Sequence, residues 1–196
     1  MKQPPLRTPD RLDVPMARRQ TLRNGVELHT LPDDEFEVLR LSFVFRAGSA
    51  VQRVPFSASS TANLLSEGSR DMDAQQIAEK LDFYGSYYDV NVDRDYVYLS
   101  FCSLSKFFLP TLEVAERILL GPVFPEDEVD AYRRKRKQRL AIERLKVDTK
   151  AREALAQALF GERHPYGISY NEAAYDTLTR EDLADMYRTH YTAGNC

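Results

Sequence analysis

The chain has 196 residues, 43% of them hydrophobic and 29% charged, a composition that supports one sizeable core or two small ones and excludes a disordered chain. Its formal net charge of -3 argues against nucleic acid or an anionic membrane as the main partner. Its two cysteines, Cys102 and Cys196, form neither a disulfide framework nor a CxxC metal or redox motif.

Residues 1–17 are polar and proline-rich and read as a flexible arm. They hold no apolar signal core, so a cytoplasmic protein is expected, although a signal already removed would leave the same sequence. No run is long enough to cross a membrane. Asn24-Gly25, between Thr21–Arg23 and Val26–Leu31, is a hairpin signal, because both turn residues must reach positive φ. Val38–Ala47 alternates densely enough for a central strand. Small and apolar residues then run at helical spacing from Phe56 to Leu65, with Gly68 as the stop. Ser57, Ser59 and Ser60 are expected to cap this helix.

Asp73 and Gln76 form a capping pair for the next helix, whose apolar stripe is Ile77, Ala78, Leu81 and Tyr84. Residues 86–103 read as two strands around a tight turn at Asp93-Arg94. A helix over Phe107–Leu120 follows, with Phe108, Leu112, Ala115, Ile118 and Leu119 as its apolar positions. Pro125 opens a long helix to about Lys146, and Thr149–Phe160 is another. Thr179 and Asp182 have capping-box spacing and start a last helix to about Tyr191. The order predicts an α+β fold, a mostly antiparallel sheet with helices packed on one face. Residues 18–196 read as a single domain.

Chemistry-bearing residues are sparse. His29, His164 and His190 stand alone, without ligand spacing to another His, Cys or carboxylate. There is no GxSxG, P-loop or GxGxxG. The basic run Arg133–Arg139 is helical and reads as a solvated face with long stems lying over neighbours. Phosphate or nucleic-acid binding is its sharper alternative, without interleaved aromatics or glycines to support it.

Several local patterns, in order, resemble the first domain of the insulinase/pitrilysin-type metallopeptidases. They are Leu22-Arg23-Asn24-Gly25-Val26, Phe43–Gly48, Glu67-Gly68-Ser69, Leu81 with Tyr84-Gly85, Phe124-Pro125, Phe160-Gly161 with His164–Gly167, and Leu178-Thr179 with Asp182-Leu183 and Tyr187–Tyr191. The resemblance covers about residues 18–196 and implies a metallopeptidase-like domain. Active members carry HxxEH before the glycine, two zinc ligands and a general base. Aligned on Gly68, these positions hold Ser59, Ala62 and Asn63. A third ligand, a Glu on the long helix, falls in the window Gln138–Ala141, which has no carboxylate, and Glu143 is on another helix face.

The resemblance therefore implies a non-catalytic subunit that pairs with a catalytic metallopeptidase subunit or a second copy of the fold, and that helps bind peptide. Zinc is expected only in the catalytic partner, with no cofactor on this chain. Arg136 and Arg139 are candidates to place a guanidinium near the vacated site, for a peptide or partner carboxylate. Family halves contain two similar domains, so the chain reads as an isolated domain or a piece ending before the second. An active zinc peptidase with misassigned ligands is the alternative within the same family.

Overall fold

The computed structural model describes residues 14–33 and 35–196. Most of the expected N-terminal arm, residues 1–13, lies outside the described residues. The chain divides into two compact units, one through Phe36 and one from Glu37 to Cys196. In the first, β1 (Arg18–Thr21) pairs antiparallel with β2 (Glu27–Thr30). Gly25, at φ 85, makes the turn. The first strand ends earlier than expected. The Leu22 N–H donates to the Val26 carbonyl and that of Gly25 to Leu22, so Leu22 and Arg23 belong to the turn.

The second unit is built on an antiparallel sheet of β3 (Val38–Phe45), β4 (Tyr87–Val92) and β5 (Val97–Leu104), in the order β3-β5-β4. Alternation sends one set of side chains inward. Leu99 lies between Phe43 and Val90, and Val97 between Phe45 and Val92, in register. Tyr88 stacks on Phe101 at 4.8 Å. These residues join a core completed from the helices by Ala58, Leu64, Leu65, Ile77, Leu81, Val114, Ile118, Leu183 and Met186. The opposite face carries Arg40, Ser42, Asp89, Asn91, Tyr98 and Ser100 around a polar recess of 370 Å³. The α+β architecture with an antiparallel sheet is thus the expected one. Cys102 and Cys196 are free thiols, and Cys102 is buried.

The helices are α1 (Ser57–Leu64), α2 (Ala74–Phe83), α3 (Phe108–Leu120), α4 (Glu126–Glu143), α5 (Val147–Phe160) and α6 (Arg180–His190). Both expected capping boxes are present. The Asp73 carboxylate accepts from the Gln76 N–H at the start of α2, and the Thr179 hydroxyl from that of Asp182 at the start of α6. Three expectations shift. Ala78 of α2 is exposed, leaving Ile77 and Leu81 as the buried stripe. The buried positions of α3 are Thr111, Val114, Ala115 and Ile118. The Thr111 hydroxyl reaches the Phe107 carbonyl, which makes a polar residue compatible with the buried face. The long helix ends at Glu143, and α5 starts at Val147. An unexpected 3-10 turn, Glu172–Asp176, packs Tyr175 into the core at 2% exposure. Among the described residues, no helix is long and apolar enough to cross a membrane.

Candidate functional site

The helix that carries the vacated positions begins on an aromatic residue. Phe56 precedes α1 with φ 64, in the left-handed region that a bulky side chain rarely adopts. Its ring stacks on Tyr175 at 4.2 Å and 5°, and meets Tyr170 edge-on at 5.7 Å. This packing holds the strained backbone in place. The serine caps expected here are not made. The Ser57 hydroxyl donates to the Val54 carbonyl at 2.8 Å and that of Ser59 to Phe56 at 3.2 Å, which satisfies carbonyls ahead of the helix, while the Ala58 N–H is capped by Gln52 Oε1 at 3.3 Å. Ser60 is fully buried, and its hydroxyl has no hydrogen-bond partner.

The three positions that the resemblance aligns with the zinc motif face different ways. Ser59 lines a cleft of 320 Å³ between α1, α4, α5 and residues 165–170. Ala62 is fully buried in the core. Asn63 is exposed, and its side-chain amide donates to the carbonyl of Ser59 at 2.7 Å. In the window where a third ligand was sought, Leu140 is the residue that shares the cleft with Ser59. Glu143 is drawn to Arg139 at 2.7 Å. Hydroxyl, methyl, amide and isobutyl groups do not form a zinc donor set, which needs imidazole, thiolate or carboxylate. Among the described residues, no cluster of three or more His, Cys, Asp or Glu is placed to hold a metal.

The two candidate arginines separate. Arg139 is 64% exposed and engaged with Glu143. Arg136 is half-buried, its guanidinium 6.0 Å from the ring of Tyr132, with a buried Nε that has no partner. Burial works against its charge, but the nearby hydroxyls of Tyr175 and Tyr132 outweigh it and raise its pKa. Burial also raises the pKa of Tyr132, opposed by Arg136 and by the neighbouring hydroxyls of Ser60 and Ser59. Tyr132 is thus the neighbour of Ser59 and Ser60 on α1, and Arg136 neighbours Tyr132 and Tyr175. In the rest of the basic run, Arg134 and Lys135 are exposed, while Arg133 and Lys137 are engaged. Arg133 donates to the carbonyls of Tyr175 and Asp176, and Lys137 pairs with the Asp176 carboxylate.

Sequence reasoning missed the wall opposite α1. Arg94, in the β4–β5 turn, lies 5.0 Å from the ring of Tyr166 and 5.6 Å from that of Phe160. The Tyr166 hydroxyl donates to Asp95. Arg94, Ser49, Ser59 and Tyr166 also line a second recess of 580 Å³ beside the cleft. The available signal was the aromatic content of Phe160 and His164–Tyr166, but no spacing links it to a turn some seventy residues earlier. Of the histidines, His29 and His164 are exposed. His190 has a lowered pKa because of burial and then the nearby Arg53.

No family model matches the sequence, and no curated protein matches it. Solved structures do. The peptidase M16 inactive domain from Pseudomonas fluorescens superimposes with a TM-score of 0.86 at 22% identity, over 91% of this chain and 44% of that one. An M16-like peptidase from Alicyclobacillus acidocaldarius gives 0.79 at 18% identity, over 94% of this chain and 45% of that one. A protease from Helicobacter pylori gives 0.74 at 17% identity, over 93% and 45%. The chain spans less than half the length of each of these structures. Its fold is that of the M16-like, insulinase-type peptidase domains.

Proposed function

We propose that this chain is a non-catalytic, peptidase-like domain that acts beside a catalytic subunit of the same fold. The observation that carries this reading is the donor set at the vacated site. Ser59 and Leu140 face one cleft, Ala62 is inside the core and Asn63 is bonded to its own helix. A site of this kind can neither hold a zinc ion nor take a proton from a bound water. The likeness in fold to a domain described as inactive supports the same reading. The cleft itself remains, with apolar walls and a volume in the range of ligand pockets, which supports a retained role in binding peptide. The zinc is then a property of the catalytic partner.

The test is metal content and association together. The purified chain is expected to contain no stoichiometric zinc and to hydrolyse no peptide, with or without chelator. Affinity capture from its own host is expected to co-purify a chain carrying HxxEH. One tightly held zinc per chain on the Ser59–Asn63 helix would falsify the reading. The committed contacts of Arg133, Lys137 and Arg139 favour a structural basic run, so no retention on heparin is expected at moderate salt.

A further inference from the structure

We infer that Arg94 is a carboxylate-recognition residue, and that the groove over Ser59 takes peptides through an acidic group. This deepens the peptide-binding reading above and rests on it. The first support is rigidity. The turn holding Arg94 is tied to the loop after β3 by three backbone hydrogen bonds: Gly48 N–H to the Asp95 carbonyl at 3.1 Å, Ser49 to Asp93 at 3.1 Å and Ala50 to Arg94 at 2.7 Å. Its guanidinium then rests on the rings of Tyr166 and Phe160. A guanidinium on aromatic faces keeps its N–H edge free for a planar anion and loses little freedom on binding one.

The second support is charge commitment. The other ionised side chains lining the two recesses are Asp93, Asp95, Arg152 and Glu153. Asp93 accepts from the backbone N–H groups of Asp95 and Tyr96. Asp95 accepts from Tyr166, Arg152 pairs with Asp148, and Glu153 faces Arg144 at 3.8 Å. Among the described residues the Arg94 side chain makes no hydrogen bond or ion pair, whereas each of the other four makes at least one. Phe56, Leu140 and Ala156 supply apolar wall beside it. The matching ligand is a peptide with aliphatic side chains and a carboxylate, either a C-terminal one or that of a Glu or Asp.

Fluorescence anisotropy of the full chain with three labelled probes tests this. One is Ala-Leu-Ala-Leu with a free C-terminal carboxylate. The second is Ala-Leu-Ala-Leu-Glu amide, and the third is Ala-Leu-Ala-Leu-Gln amide. At least one carboxylate probe is expected to bind about tenfold more tightly than the Gln amide, the size of one charge-assisted contact. The tighter of the two names the source of the carboxylate. Arg94→Gln is expected to erase the difference, and Arg94→Lys, which keeps the charge but not the fork, to keep part of it. Thermal melts of both variants separate lost recognition from lost folding. Equal binding of all three probes, or a difference that survives Arg94→Gln, overturns the assignment of Arg94 and leaves peptide binding standing. No binding by any probe overturns both.

Discussion

Gly48 shows how tightly the groove's wall is fixed. A Cβ built there would lie 2.4 Å from the Arg94 carbonyl oxygen and 2.6 Å from the carbonyl carbon of Asp95, both backbone atoms that cannot swing aside. Gly48→Ala is therefore expected to force the turn away from the loop after β3. The destabilisation is about 2 kcal/mol, seen as a melting temperature lower by roughly 4–8 °C. Carboxylate-probe binding should fall with it, because the turn carries Arg94. Glu67 offers a test with the opposite sign. Burial and then Glu128 raise its pKa above 4.5, only partly offset by Lys135. The ionised form therefore opposes folding at neutral pH, and this penalty fades as pH falls through the raised pKa towards 4.5. Glu67→Gln is expected to raise the melting temperature at pH 7 and to match the parent below pH 4.5. A benefit that persists in acid would refute the electrostatic cause.

Local chemistry decided which elements could be read in advance. The Thr179–Asp182 and Asp73–Gln76 pairs declare their helices because both partners are a few residues apart. Thr179→Ala should cost about 1 kcal/mol and lower the melting temperature by roughly 2–4 °C. The alternation of Val38–Ala47 likewise carried β3. What stayed hidden depends on distant contacts. The left-handed Phe56 is stabilised by Tyr175, more than a hundred residues later. The 3-10 turn that supplies Tyr175 is held by Arg133 of α4. Asn171 caps this turn by accepting from the Ala173 N–H, but the five residues are too few to show a helical period. At the site, the absence of metal-binding residue types at Ser59, Ala62 and Asn63 was legible, whereas the setting of Arg94 needed the turn and the Phe160–Tyr166 rings brought together in space.

At the scale of the molecule, stability is unevenly spread through the second unit. Helix α5 contributes no buried residue, and Leu155, Leu159 and Phe160 on it are exposed, as are Ile142, Leu145 and Val147 at its junction with α4. Helices α1 and α3 hold fully buried positions such as Ala58, Ala62, Ala115 and Ile118. Native-state hydrogen exchange of the isolated chain is therefore expected to be fast in α5 and slow in α1 and α3, by several orders of magnitude. Equal protection across the three helices would contradict this distribution.

The burial of Ala62 sets a direction on the history of such a chain. At the position that the insulinase-type resemblance assigns to the general base, the side chain has no exposed surface and packs in the core. A return to HxxEH must insert a carboxylate there before any metal is present to benefit from it. Ala62→Glu is expected to destabilise by at least about 3 kcal/mol, since a buried unpaired charge and added volume act together. The Ala62→Glu step would thus be selected against for folding before it could be selected for activity. The packing of one methyl group acts as a ratchet.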